Sequence, residues 1–360
     1  MTQPTTPMEK VMETRPAVFV GDDYSVADIL EKIAEELAGK GYRIIRSGTP
    51  MQGRSASYDP AAWPHLFGDT DIMLISSRTD CPRKLLEAAP RLRGVVFPTI
   101  GTDAVNLQHA EEMGLIIGHG PVPENPIGMA EATVMLIAAL FLDLRGKELL
   151  TRENLPRPKP TELPARLVNG KTIGLVGFGR IARSVVERLM GWGVTILAYD
   201  PYVTQSDVPD TVQFCDLETL LRASDLVSIH VSLTGETRRM IGAEQIALMN
   251  PGSYLINNSR GGAIDEAAVT QALESGHLAG AALDVFENEP LPADSPLREA
   301  PNVILTSHII GHSREANIAS IPAAVENIER IVRGEPPLYT RNPEVLDKWK
   351  ERLRDLPKLA

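Results

Sequence analysis

The residues of this chain with the capacity for chemistry stand at the ends of short apolar runs. His230 lies near the end of Leu226 to Val231, Arg260 just beyond Tyr254 to Asn257, Asp284 and Glu289 around the end of Ala281 to Phe286, and His308 just beyond Val303 to Thr306. Imidazoles exchange protons near neutral pH, carboxylates orient and balance them, and a guanidinium grips planar anions. If these runs are strands of an open parallel sheet, all five side chains fall along its carboxyl edge, where such sheets bind ligands.

The element that must position them is Lys171 to Asp200, KTIGLVGFGRIARSVVERLMGWGVTILAYD. Thr172 to Val176 suits a buried strand and leads into Gly177, Phe178, Gly179, Arg180, Ile181 and Ala182, a GxGxxA turn. Ile181, Val185, Val186 and Leu189 then recur at helical spacing, and a second apolar run ends on Asp200. Gly177 permits the tight turn, Gly179 lets the backbone approach a pyrophosphate, and Ala182 lets the helix lie close to the strand. Asp200 stands where an acid accepts from a ribose 2′-OH, and no base follows it in Pro201, Tyr202 and Val203, which favours NAD over NADP.

With 360 residues, 43% of them hydrophobic, the chain is long enough for two domains with sizeable cores. A formal net charge of -11 gives no basic field to draw it to nucleic acid or anionic lipid. Two cysteines, Cys81 and Cys215, provide no disulfide framework and suit a reducing cytoplasm. No cysteine and histidine cluster has metal spacing, so no metal is expected. The first sixteen residues are polar and proline-containing, unlike a signal peptide, and are expected to be frayed.

Helices and strands alternate from Ala17, with Ser25 expected to cap a helix running to about Gly39. Ala17 to Val20, Tyr42 to Arg46, Asp71 to Ser76, Gly94 to Phe97 and Leu115 to Ile117 read as strands of a first layer. One long helix, apolar on nearly all sides, is expected from Ile127 to Arg145, then a proline-containing connector. Arg314 to Arg333 reads as a helix, and the charged stretch Glu344 to Leu356 as a solvated terminal helix.

On the segments GLVGFGRIA, HVSLTGET, NNSRGGAIDEAAV, GAALDVFENEP and NVILTSHIIG the chain resembles the D-isomer-specific 2-hydroxyacid dehydrogenase family over roughly Asp71 to Glu344. The resemblance implies two doubly wound α/β domains with parallel sheets. A flavodoxin-like substrate domain would span 17–145 and be completed by 314–346, and a Rossmann NAD-binding domain would span 146–313. It implies a D-2-hydroxyacid dehydrogenase that passes a hydride between nicotinamide and C2 of a 2-oxo or 2-hydroxy acid, of the glyoxylate or hydroxypyruvate type.

Carried over to this chain, Arg260 matches the arginine that grips the substrate carboxylate and polarises its carbonyl. His308 matches the general acid and base, and Glu289 its carboxylate partner. Gly177, Phe178, Gly179, Arg180, Ile181, Asp200, His230, Asn258, Asp284 and His308 match cofactor-binding positions, with Asp284 beside the nicotinamide carboxamide. Ser76, Ser77 and Arg78 fall on the loop whose backbone N–H groups meet the substrate carboxylate, and Ile100 and Gly101 on a second contact loop. A homodimer formed through the long apolar helix is also implied. Ser307 and Ser232 replace common prolines, with small backbone effects expected, whereas FPTIGTD in place of a glycine-rich run, Ser76 in place of an arginine of several members and Ala132 in place of a frequent histidine bear on the substrate and not on the chemistry. A cofactor-sensing corepressor of the same fold, or an enzyme acting on formate or phosphite, are the rival readings.

Overall fold

The computed structural model describes residues 15–48 and 56–359. The frayed tail expected at the N-terminus falls almost wholly outside them. Contacts divide the chain into one unit of residues 1–123 with 314–360 and another of 124–313. The boundary falls at 123/124, against the expected 145/146, and the C-terminal share runs past 346 to the end of the chain.

The first unit is built from β1 (Ala17–Val20), α1 (Ala27–Gly39), β2 (Arg43–Ile45), α2 (Trp63–Phe67), β3 (Ile72–Leu74), α3 (Arg83–Glu87), β4 (Gly94–Val96), α4 (Leu107–Glu112) and β5 (Ile116–Gly118). Its strands pair in parallel in the order β2-β1-β3-β4-β5, a doubly wound sheet of the flavodoxin type. Every residue of β1, β3, β4 and β5 is buried, as befits strands covered on both faces. The start of α1 departs from expectation. Ser25 does not cap it; Asp23 Oδ1 instead accepts from the Ser25 and Val26 N–H groups at 2.6 and 2.8 Å.

The second unit opens with α5 (Glu124–Phe141) and α6 (Leu144–Arg152). The expected single helix to Arg145 is thus two. The chain breaks at Asp143, whose backbone is left-handed (φ 52°) and whose carboxylate caps α6 through the Gly146 N–H. Then follow β6 (Thr172–Val176), α7 (Arg180–Leu189), β7 (Thr195–Tyr199), β8 (Val212–Phe214), α8 (Leu217–Ala223), β9 (Leu226–Ile229), α9 (Ala243–Leu248), β10 (Ser253–Asn257), α10 (Glu266–Glu274), β11 (Leu278–Leu283) and β12 (Val303–Leu305). All seven strands are parallel, in the order β12-β11-β10-β9-β6-β7-β8. The order reverses between β6 and β9, the switch point at which Rossmann sheets bind their ligands. Helix α5 joins this unit because Leu136, Ile137, Leu140 and Phe141 are buried in the same core as Ile173 and Leu175 of β6 and Val185 of α7.

The chain returns to the first unit as α11 (Arg314–Val332) and α12 (Leu346–Arg354). The solvated reading of α12 is overturned. Trp349 is 0% exposed in the core with Leu30, Ile33 and Ile328, and its Nε1 donates to the Arg93 carbonyl at 2.8 Å. Arg352 donates to the carbonyls of Leu92 and Met113, so the charges that made this helix look solvated are partly spent on backbone acceptors.

Candidate active site

Beyond the ends of three adjacent strands, β10, β11 and β12, stand Arg260, Glu289 and His308. His308 Nδ1 lies 2.8 Å from Glu289 Oε2, and Glu289 Oε1 accepts from the Phe286 N–H at 3.1 Å. The carboxylate is therefore anchored on one oxygen while it orients the imidazole with the other. Gly261, next to Arg260, comes so close to this turn that a Cβ there would lie 1.9 Å from the Phe286 carbonyl carbon, so only glycine fits. That contact ties the backbone beside Arg260 to the turn that supplies Glu289. Arg260 is itself half-buried, with Nη1 donating to the Ser259 carbonyl at 2.7 Å and its own carbonyl accepting from Asn257 Nδ2 at 3.0 Å.

His308 has a left-handed backbone, φ 59°, a conformation that costs a non-glycine residue energy and survives where its surroundings impose it. The imposing group is Asp284. Its carbonyl accepts from the His308 N–H at 2.7 Å. Its buried carboxylate Oδ1 accepts from Thr306 Oγ1, Ile309 N and Ile310 N at 2.6, 3.0 and 3.2 Å. Asp284, expected beside the carboxamide, is in the structure the bracket of the histidine loop, and Oδ2, with one 3.3 Å contact from Ile310 N, is its less engaged oxygen. On the far side of the loop, Gly311 and Gly128 of α5 approach so closely that a Cβ on Gly128 would meet the Gly311 carbonyl oxygen at 2.5 Å.

The glycine turn lies along the same carboxyl edge. Gly177 has φ 91°, and a Cβ there would meet the His230 carbonyl oxygen at 2.7 Å. Gly179 caps α7 without a side chain, and the space its Cβ would occupy is open. Asp200 accepts from the Phe178 N–H with Oδ2 and from the Tyr202 N–H with Oδ1, both at 2.9 Å, which fixes its charge beside the turn. Arg180 is exposed at the helix start, Ile181 is half-buried, and Phe178 is buried under the Arg183 guanidinium. His230 Nε2 lies 2.9 Å from Ser228 Oγ, and burial pushes its pKa down to about 4, so its ring is neutral at physiological pH.

Asn258 supplies a test of whether a ligand belongs here. Thr133 Oγ1 spends its one hydrogen on the Met129 carbonyl, so it can only accept from Asn258, and the Asn258 amide must present Nδ2 to it at 2.7 Å. The amide oxygen is then left buried with no partner among the described residues, a costly state that a donor on a bound molecule would relieve. Together with the open Gly179 cradle, it fits these residues to a dinucleotide.

In the first unit the carboxyl ends of β1, β3 and β4 carry a second group. Ser76 Oγ donates to the buried Asp23 carboxylate at 2.5 Å and accepts from the Arg78 N–H at 3.1 Å. Arg78 Nη1 donates to Ser25 Oγ at 2.7 Å. The Ile100 carbonyl lies 3.0 Å from His119 Nδ1, and Ser77, Ile100 and Gly101 are half-buried. Asp23, Ser25 and His119 were not singled out for these contacts by sequence reasoning, because each becomes informative only through a partner far along the chain.

A parallel sheet with a glycine turn at its switch point, and a histidine and carboxylate pair on the same edge, defines a nucleotide-linked oxidoreductase of the Rossmann class. Comparison narrows the class. The family model for the D-isomer specific 2-hydroxyacid dehydrogenase NAD binding domain matches residues 134–309. A glyoxylate reductase of Thermofilum pendens is 37% identical over 283 residues, 77% of this chain and 83% of that protein. An (S)-sulfolactate dehydrogenase of Chromohalobacter salexigens is 37% identical over 261 residues, 72% of this chain and 83% of that protein. The crystal structure of an NAD-dependent formate dehydrogenase from Staphylococcus aureus in complex with NAD superposes with a TM-score of 0.77 at 26% identity, covering 90% of this chain and 97% of that one. The chain belongs to the D-isomer specific 2-hydroxyacid dehydrogenase family.

Proposed function

We propose that this protein interconverts a small D-2-hydroxy acid and its 2-oxo acid, with glyoxylate and hydroxypyruvate as the base substrates and NAD as the preferred nucleotide. The observation that carries this reading is the 2.8 Å contact between Nδ1 of His308, three residues beyond the end of a strand in the sheet that bears the glycine turn, and an anchored Glu289. With Nδ1 committed to the carboxylate, Nε2 is the nitrogen that gives a proton to the substrate oxygen in reduction and takes it back in oxidation. Arg260 holds the acid by its carboxylate and stabilises the charge that develops on the carbonyl oxygen. Gly177, Phe178, Gly179, Arg180, Ile181, Asp200, His230, Asn258 and Asp284 hold the nucleotide. When bound, it supplies the hydride.

The Asp200 carboxylate, beside the turn and with no base in Pro201, Tyr202 or Val203, supports NAD over NADP, since it would repel a 2′-phosphate. Recognition of the acid falls to the backbone N–H groups of Ser76 and Ser77, to Arg78, and to the Ile100 and Gly101 loop. The exposed side chains of Met135, Leu142, Leu144 and Leu149 on and after α5 support a homodimer through that face. The reading is tested by following NADH and NADPH oxidation against glyoxylate, hydroxypyruvate and pyruvate, with NAD reduction by formate as the rival arm. Reduction of a 2-oxo acid by NADH supports it; turnover of formate alone, or nucleotide binding without any turnover, overturns it.

A further inference from the structure

The Arg78 side chain is held on one side and, among the described residues, unengaged on the other. The hydrogen bonds around it assign themselves. Asp23 Oδ2 takes the hydrogen of Ser76 Oγ, and Asp23 Oδ1 takes that of Ser25 Oγ at 3.0 Å, so each hydroxyl keeps a lone pair for Arg78. Ser76 Oγ uses it on the Arg78 N–H and Ser25 Oγ on Nη1, while the Tyr24 ring lies 5.3 Å from the guanidinium carbon. Asp23 forms an ion pair with Nη1 at 4.0 Å but leaves Nε and Nη2 unengaged. Its carboxylate is already satisfied by the hydroxyls of Ser25 and Ser76 and the N–H groups of Ser25 and Val26, and its distance from Nη1 is beyond hydrogen-bond reach.

Among the described residues nothing accepts from Arg78 Nε or Nη2, the pair of donors that matches an oxyanion two at a time. The main-chain N–H groups of Ser76 and Ser77 likewise have no acceptor among the described residues. The loop after β3 therefore offers two anion sites within three residues: one made of backbone N–H groups, the other of a pre-set guanidinium.

We propose that Arg78 selects 2-oxo acids that carry a second anionic group at C3, such as a sulfonate, a phosphate ester or a carboxylate, with the Ser76 and Ser77 N–H groups taking the common carboxylate. The inference deepens the proposed function and rests on it. Holding the arginine in place before the substrate arrives lowers the ordering cost of binding, so the contact acts mainly on KM.

The test compares kcat/KM for 3-sulfopyruvate, phosphohydroxypyruvate and oxaloacetate with that for hydroxypyruvate and glyoxylate, in the wild type, Arg78→Met and Arg78→Lys. The expected result is a wild-type preference for at least one doubly anionic acid over hydroxypyruvate. Arg78→Met is expected to cut that ratio by roughly tenfold or more, through KM, as the loss of a charged hydrogen-bonding pair implies, and Arg78→Lys to restore part of it. The order of the three acids identifies which anion the site takes. NADH affinity, read by direct titration, reports whether the Arg78→Met protein is intact. A wild type that prefers uncharged tails, or a ratio unmoved by Arg78→Met, overturns the inference and leaves the proposed function standing. A wild type that reduces no 2-oxo acid overturns both.

Discussion

His308 has an unfavourable backbone, a carboxylate 2.8 Å from Nδ1 and a loop bracketed by Asp284. Each of these separates into a measurable effect. His308→Ala removes the proton carrier, and kcat for reduction is expected to fall about 10²- to 10⁴-fold with NADH affinity retained. Glu289→Gln keeps the shape but loses the anion, so kcat is expected to fall while unfolding midpoints change little. Asp284→Asn acts differently, because three donors converge on Oδ1. A loss of about 2 kcal/mol in urea unfolding is expected, together with weaker activity from a misplaced histidine loop. Residues such as Arg260, His308 and Gly177 were legible in the sequence because each ends or follows a recognisable strand. The bracket role of Asp284 was not, because its donors lie 22 to 26 residues further on and converge only after the sheet forms.

At the scale of elements, strands buried on both faces announced themselves as apolar runs, and the turn after β6 by its glycines. The elements misread are those whose local pattern misleads. Strand β8 was missed because Val212–Phe214 is three residues long at the sheet edge, with one side chain buried. Helix α12 looked solvated because its one fully buried residue, Trp349, is set among lysines, arginines and acids. Trp349→Ala is expected to cost about 3–5 kcal/mol in chemical denaturation, whereas a solvated helix would lose almost nothing. The break between α5 and α6 was equally unreadable, since Asp143 in a left-handed conformation leaves no trace in an apolar periodicity.

Over the whole molecule, two parallel sheets divide the labour proposed here, with nucleotide binding, proton chemistry and the Arg260 grip on the acid in the second unit and the remaining contacts to the acid in the first. His230 gives the protein a pH signature. Its folded pKa of about 4 lies below the ordinary histidine value of 6.5, so above pH 6.5 it costs nothing. As pH falls towards 4 the unfolded chain takes up a proton that the folded one refuses. Stability is expected to drop by up to about 3 kcal/mol across that window, and less in His230→Gln, as read by denaturation at each pH. The exposed apolar side chains around α5 and α6 are expected to be covered in a homodimer, and light scattering that finds only a monomer would remove that part of the reading. The central claim is hydride transfer to a 2-oxo acid with His308 moving the proton. It is tested most directly by supplying NADH with deuterium at both C4 positions together with glyoxylate and hydroxypyruvate, and weighing the hydroxy acids formed. The expected result is deuterium at C2 of the product from the wild type and at least a hundredfold slower appearance from His308→Ala. Product without the label, or labelled product formed at the same rate without His308, would contradict the account.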